Sequence, residues 1–292
     1  MRFGIYSNSN RDINYETAKY TAQLIISKGG EVSFESFLSD NETLNVIDGV
    51  VFEGFSNCDL IISIGGDGTL LYVVSQYRDL MIPFVGINKG SIGFLTEIDI
   101  ERIEDSIDRL ISGNFEIVER TQLCSEVYDR NGVLKATEFS LNDCVVSRGA
   151  KLHVVKLDVY IDGQYVEKFY GDGIIVSTAT GSTAYSLAAG GPILLPDMAD
   201  ILVTPICSHT LQHSSYCIGS TNRIEVVVNN FETAPIICPD GRDSVALEPE
   251  DKIVIFAAEQ KVKTIMMGYN NFFQNVRKKI TQRGSFYEER KK

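Results

Sequence analysis

Hydrophobic and polar positions recur with two different periods along this chain, and the change falls near residue 115. Before it, short apolar runs are separated by segments of helical spacing. Residues 2–7 (RFGIYS) form a short strand-like run. Over 15–28, Ala18, Ala22, Ile25 and Ile26 share one helical face, and Gly29-Gly30 stops the helix. Residues 31–36 (EVSFES) suggest a second strand. The apolar runs 59–64 (DLIISI) and 82–87 (IPFVGI) suit strands buried on both faces. A helix, TLLYVVSQY, lies between them, and the loop NKGSIGF follows the second. Residues 99–112 predict an amphipathic helix with Ile103, Ile107, Leu110 and Ile111 on its buried side. Strands alternating with helices in this way predict a doubly wound parallel sheet.

Beyond residue 115 the period becomes two. Val155, Leu157, Val159 and Ile161 alternate with Lys156, Asp158 and Tyr160, as in a half-buried strand. DRNG at 129–132 and DG at 162–163 each separate two strand-like runs. IEVVV (224–228), PIIC (235–238) and KIVIFA (252–257) continue the pattern, which predicts an all-β sandwich. Helical spacing returns at 269–283, with Phe272, Phe273, Val276 and Ile280 as apolar positions of a helix expected to dock elsewhere on the protein. The final EERKK reads as a frayed, solvated end.

Composition narrows the function. The chain has 292 residues, 44% hydrophobic and 23% charged, enough for one large or two medium domains with ample core. The net charge of −12 argues against a nucleic-acid surface, which needs clustered Lys and Arg. The start MRFGIYSNSNRD has no apolar signal region, and no apolar run approaches the ~20 residues of a membrane span, so a cytoplasmic protein is expected. Cys58, Cys124, Cys144, Cys207, Cys217 and Cys238 form no CxxC pattern and are read as reduced and mostly buried. Cys207 and Cys217 are the pair to check for a bridge.

Two segments carry candidate chemistry. GGDGT at 65–69 joins a buried strand to a helix. Gly65, Gly66 and Gly68 are expected to take positive φ and turn backbone N–H groups toward one anion, helped by the helix N-terminus. No phosphate-loop lysine motif occurs. Asp67 beside a phosphate is repulsive unless a metal intervenes or the carboxylate takes a proton from an attacking hydroxyl, and both uses fit phosphoryl transfer. The bland alternative, a plain Asp-Gly turn, loses ground because three glycines sit between a buried strand and an apolar helix.

The second segment, 171–192 (GDGIIVSTATGSTAYSLAAGGP), has small side chains that admit a flat polar ligand and hydroxyls that can read it. Tyr185 offers a ring face or a hydroxyl. The competing reading is a tightly packed helix in which Ala184, Ala188 and Ala189 only permit close contact. Asp172 is either a ligand for an amide or ribose or a turn aspartate. Asn142-Asp143 can address a base or ribose, or form a common turn. Arg148 and Lys151 either balance phosphate or are ordinary surface cations. His153 reads as a strand residue, His209 as part of a loop that can line the site, and His213 lacks any catalytic pattern.

At these residues the chain closely resembles the NAD kinase family. GGDGT, the Asn-Asp dipeptide, TGSTAYSLAAGGP and the TPICSHTL loop stand in the family's order and spacing, over nearly the whole chain. The resemblance implies an α/β domain over 1–115, an NAD-binding β-sandwich domain over 116–266, and a C-terminal segment, 267–292, returning to the first domain. It implies transfer of a phosphoryl group from ATP, or polyphosphate, to the adenosine 2′-hydroxyl of NAD, giving NADP. Asp67 would be the general base. Gly65, Gly66, Gly68 and Thr69 would hold donor phosphates with a divalent metal, Mg²⁺, bound through those phosphates rather than by assigned protein ligands. NAD would meet Asp67, Gly68, Phe94, Asn142, Asp143, Asp172, Thr180, Thr183, Ala184 and Tyr185. A homo-oligomer, dimer or tetramer, is also implied, with small-molecule nucleotides as partners and neither nucleic acid nor membrane.

Asp143 stands where many members have Glu, and Ala179 where Pro is common. A diacylglycerol-type lipid kinase shares GGDGT but predicts an apolar acceptor pocket and does not account for TGSTAY. A non-catalytic nucleotide sensor on the same scaffold would naturally have lost the carboxylate at position 67.

Overall fold

The computed structural model describes all residues except 91–92, 150–152, 210–213, 230–233, 243–244, 270 and 286–292, with the backbone alone at 279–285. Lys151, His213 and the EERKK end lie outside the described residues, as does the Ile280 side chain. The chain divides into two compact units, Met1–Glu119 with Val262–Lys292, and Arg120–Lys261.

The first unit is built on one sheet with strand order Val50–Val51, Glu31–Ser33, Arg2–Ser7, Leu60–Gly65, Phe84–Asn88, Val262–Met266, Glu116–Arg120; Ile98–Asp99 pairs beside Phe84–Asn88. The pairs around Arg2–Ser7 and Leu60–Gly65 are parallel. Every residue of Leu60–Gly65 is buried, as its unbroken apolar run requires. Leu60, Ile62 and Ile64 face one core with Ala18, Ala22 and Ile25 of helix α1 (Glu16–Ser27). Helix α2 (Asp67–Tyr77) packs against the same strand and buries Leu70, Val73 and Val74 outside that core, so the sheet is covered on both faces. Helix α3 (Ile103–Ser112) contributes Ile103, Ile107 and Leu110 to the first core, and a 3-10 turn, Ile100–Arg102, replaces the start of the longer helix predicted. The strand order reverses between Arg2–Ser7 and Leu60–Gly65, and the carboxyl ends at such a reversal are where open α/β sheets bind ligands.

The second unit is a sandwich of two antiparallel sheets. One runs Tyr216–Ile218, Ile201–Ile206, Gly173–Thr178, Asp143–Ser147, Ile236–Pro239, Val245–Ala246; the other runs Gln164–Gly171, Val155–Ile161, Ile224–Val228, Lys252–Ala257, Leu123–Tyr128, Leu134–Ser140. Cys144, Val146, Ile174 and Val176 of the first meet Val155, Leu157, Ile253 and Ile255 of the second in a single core. Asp162 and Gly163, both left-handed (φ +50° and +74°), make the tight hairpin turn that their sequence predicts.

Some expectations are corrected. His153 lies two residues before the strand Val155–Ile161, not in it. The six cysteines are free, in line with the reduced reading, but only Cys58, Cys124 and Cys144 are buried, and Cys207 and Cys217 are exposed and unbridged. The C-terminal helix (Phe272–Ser285) sets the Phe272 ring 6.1 Å from Phe94 in the first unit. Phe273 points outward instead, 67% exposed, because one residue along a helix rotates about 100° from its neighbour. No helix among the described residues is long and apolar enough to cross a membrane.

Candidate active site

In the first unit, the strand Leu60–Gly65 runs into α2 through Gly66, whose extended backbone (φ −124°, ψ −170°) caps the helix. Gly65, Gly66 and Gly68 do not take positive φ, contrary to expectation, because strand and helix join without a left-handed turn. Their smallness has other uses. A Cβ on Gly65 would lie 2.2 Å from Thr69 Oγ1, so glycine there allows the tight entry. At Gly66 and Gly68 a Cβ would meet no atom within 4 Å, so both border open space. The Thr69 and Leu70 N–H groups donate to Gly66 O at 2.9 and 3.2 Å, and the positive N-terminal end of α2 faces room for an anion. Thr69 is buried, and its hydroxyl accepts from Asn8 Nδ2 at 3.2 Å, across the point where strand order reverses.

Asp67 is the first residue of α2 rather than the apex of a loop. Its Oδ2 accepts from the Phe94 N–H at 2.7 Å, and its Oδ1 from the Leu95 and Thr96 N–H groups at 3.1 and 3.2 Å and the Thr96 hydroxyl at 3.3 Å. A Cβ at residue 93 would sit 2.1 Å from Asp67 Oδ1, so Gly93 is what lets this segment close on the carboxylate. Leu95 and Thr96 were not singled out in the sequence; only the phrase Gly-Phe-Leu-Thr after the loop hints at them.

A second cluster also escaped the sequence. Buried Asp12 accepts from Ser7 Oγ (2.8 Å), the Thr17 and Ala18 N–H groups (both 2.9 Å) and Lys89 Nζ (2.9 Å). Burial alone would raise its pKa, but these donors, Lys89 foremost, outweigh it and hold the carboxyl below its ordinary value. Lys89 also donates through its backbone to Gly65 O at 2.6 Å, tying the glycine loop to the next strand.

In the second unit, Asp143 and Val145 point to the outer face of their sheet. Val145 packs there with Ile175, Ile206 and Ala189. The segment after Gly173–Thr178 covers that face as a 3-10 turn, Thr180–Thr183, and the short helix α4 (Tyr185–Ala188). It is not one packed helix: Thr180 and Thr183 are buried, Ala184 is half-buried, and Tyr185 and Ala188 are exposed. The Tyr185 ring, 46% exposed, is available to a ligand.

Asn142 and Asp143 are 9% and 5% exposed, and Asn142 Oδ1 has no hydrogen-bond partner among the described residues. Burial, then the neighbouring Asp240 carboxylate, push Asp143 up to about 7, against one N–H donated by Tyr185. Asp172 accepts from Arg148 Nε at 2.8 Å, so this cation is committed to the carboxylate rather than standing alone on the surface. His209 is exposed and donates its N–H to Tyr170 O at 2.8 Å. Asp240, Thr178 and Gly181, which surround Asn142, were missed in the sequence; the Asp240-Gly241 dipeptide looks there like any other turn.

Among the described residues no three His, Cys, Asp or Glu side chains come together to hold a metal ion.

The sequence and the fold match known proteins. The family models of the ATP-NAD kinase N-terminal and C-terminal domains match residues 3–115 and 141–267. An NAD kinase of Ruminiclostridium cellulolyticum is 36% identical over 286 residues, 97% of this chain and 98% of its own. One of Desulforamulus reducens is 39% identical over 248 residues, 83% of this chain and 86% of its own. Yeast NADH kinase complexed with NADH shares the fold with a TM-score of 0.85 at 22% identity, over 95% of this chain and 86% of that one. An NAD kinase from Archaeoglobus fulgidus in complex with ATP does so with a TM-score of 0.74 at 23% identity, over 95% and 99%. These relatives give the lipid-kinase and sensor alternatives no support. With family models matching in both halves and curated relatives spanning nearly its whole length, the chain belongs to the NAD kinase family and is a kinase that acts on NAD.

Proposed function

We propose that Asp67 is the general base of this phosphoryl transfer. The adenosine 2′-hydroxyl of NAD gives its proton to the Asp67 carboxylate, and the oxygen forms a bond to the terminal phosphorus of the donor. The bridging P–O bond breaks, leaving NADP and, when ATP is the donor, ADP. The observation that carries the reading is the held carboxylate of Asp67 at the first turn of α2, beside the open faces of Gly66 and Gly68. A base must be within reach of its proton in a fixed orientation, and donors on both carboxylate oxygens supply that orientation.

Gly65, Gly66, Gly68 and Thr69 bind the donor phosphates through the helix N-terminus. A divalent ion, Mg²⁺, travels on the donor phosphates and neutralises their charge. Phe94, Asn142, Asp143, Asp172, Thr180, Thr183, Ala184 and Tyr185 bind NAD. The Asn142 Oδ1, without a partner among the described residues, and the exposed Tyr185 ring support that assignment in the second unit. The protein acts in the cytoplasm as a homo-oligomer, and either ATP or polyphosphate serves as donor. Purified protein incubated with NAD, Mg²⁺ and either donor tests the whole reading by NADP formation; the oligomer is tested by light scattering, where a monomer mass refutes it.

A further inference from the structure

Asp240 belongs to none of the segments assigned so far. It follows the strand Ile236–Pro239, and with Gly241 forms a turn of two left-handed residues, φ +48° and +68°. A turn aspartate ordinarily bonds N–H groups one or two residues ahead. Asp240 instead reaches residues 97 to 99 positions away: Oδ2 accepts the Leu141 N–H at 2.7 Å, and Oδ1 accepts the Asn142 and Asp143 N–H groups at 2.8 and 3.1 Å. Its own N–H donates to Asp143 O at 2.8 Å.

The same peptide is held from the other side. Thr178 Oγ1 donates to Leu141 O at 2.7 Å, and the Thr178 N–H donates to Asn142 O at 2.9 Å. Gly181 lies so close that a Cβ would be 2.0 Å from Asn142 O. What this clamp presents is the buried Asn142 amide, whose Oδ1 lacks a partner among the described residues. A buried acceptor left unpaired is unfavourable, so a peptide fixed this firmly with its acceptor unmet is built for a donor that arrives with a ligand.

We propose that Asp240 is a positioning residue for the nucleotide: it fixes the Leu141–Asp143 backbone so that the Asn142 amide meets a hydroxyl or N–H of NAD. This rests on the assignment of Asn142 and Asp143 to the NAD site. Asp240 does not touch the reacting atoms. Its loss shows in NAD affinity and not in donor affinity.

The test uses three variants of the full chain, with NAD titrated in the absence of donor, KM measured for NAD and ATP, and thermal melting followed. Asp240→Asn keeps the size of the side chain but sets an amide against the Leu141 N–H. NAD Kd should rise by ~10-fold or more, the size expected for losing a charge-assisted hydrogen bond, with KM for ATP within about twofold. An unchanged NAD Kd overturns the proposal, and so does a parallel rise in both KM values, which a general structural role would give. If Asp240→Asn does not fold, Thr178→Val removes the hydroxyl that donates to the same peptide from the opposite side and accepts the Gly181 N–H, and should raise NAD Kd several-fold; no change there also overturns it. Asn142→Ala separates the two levels. Weakened NAD binding in Asn142→Ala with normal binding in Asp240→Asn removes Asp240 alone, whereas normal binding in Asn142→Ala removes the site assignment and the proposal with it.

Discussion

The backbone N–H of Phe94 donates to Asp67 Oδ2 at 2.7 Å. This bond joins residues 94–96 to the carboxylate that opens α2, and the Leu95 and Thr96 N–H groups complete the hold on Oδ1. Phe94 in turn packs on Phe272 of the C-terminal helix, 6.1 Å between ring centres. The orientation of Asp67 thus depends on a backbone segment that the C-terminal helix braces.

If Asp67 takes the proton of the acceptor hydroxyl, Asp67→Asn should retain NAD binding while turnover falls by ~10²-fold or more, the usual range for losing a general base. Single-turnover kinetics with an NAD titration alongside separate the two quantities. Turnover near that of the unaltered protein would remove Asp67 from the role.

Gly65 and Gly68 should respond differently to alanine. A Cβ at residue 65 meets Thr69 Oγ1 at 2.2 Å, so Gly65→Ala should lower the melting temperature. Gly68 lies inside α2 with open space around it, so Gly68→Ala should leave stability unchanged or raise it by about 0.5–1 kcal/mol through helix propensity. If that space is where donor phosphates sit, the same variant should raise KM for ATP by ~10-fold or more, as displaced phosphate contacts would. A Gly68→Ala protein with normal ATP KM would show that the phosphates lie elsewhere.

Tyr185→Ala tests the second segment. The ring is 46% exposed and contributes little to the core, so its removal should spare the fold. NAD Kd should rise by ~10-fold, as expected for a lost ring contact, with kcat at saturation less affected. Unchanged affinity would mean that residues 180–189 only pack.

Asp143 predicts a pH dependence. Its folded pKa of about 7 lies above its ordinary 3.8, so the folded state holds a proton that the unfolded state has already released between those values. Its contribution to stability is full below about pH 4 and is lost as pH rises through 7. Asp143→Asn should flatten this slope by Asp143's share, at most about 4 kcal/mol across the interval, leaving the part of the same sign that buried Asp240 contributes. Urea unfolding of both proteins from pH 5 to 8 measures it; identical slopes would contradict the buried, proton-retaining carboxyl.

The sequence made the scaffold legible where periodicity has one physical meaning. The run DLIISI suited a strand covered on both faces, and the alternation over 155–161 suited a half-buried one, as both are. The alternation of strands and helices implied the parallel sheet. What stayed hidden depends on tertiary closure. Lys89 and Asp12 are 77 positions apart, and Asp240 and Leu141 are 99 apart, so no local pattern pairs them. The glycines of GGDGT illustrate a subtler limit. Their spacing signalled a tight approach, but whether that means positive φ, a clash avoided at Thr69 or an open ligand face is decided only by what surrounds each one.

The most direct measurement is NADP formation by the purified protein from NAD, with ATP or polyphosphate, with and without Mg²⁺. The account predicts NADP, formed only with a phosphate donor, dependent on the divalent ion, and reduced ~10²-fold or more in Asp67→Asn. A folded protein that binds NAD yet makes no NADP with either donor would contradict it.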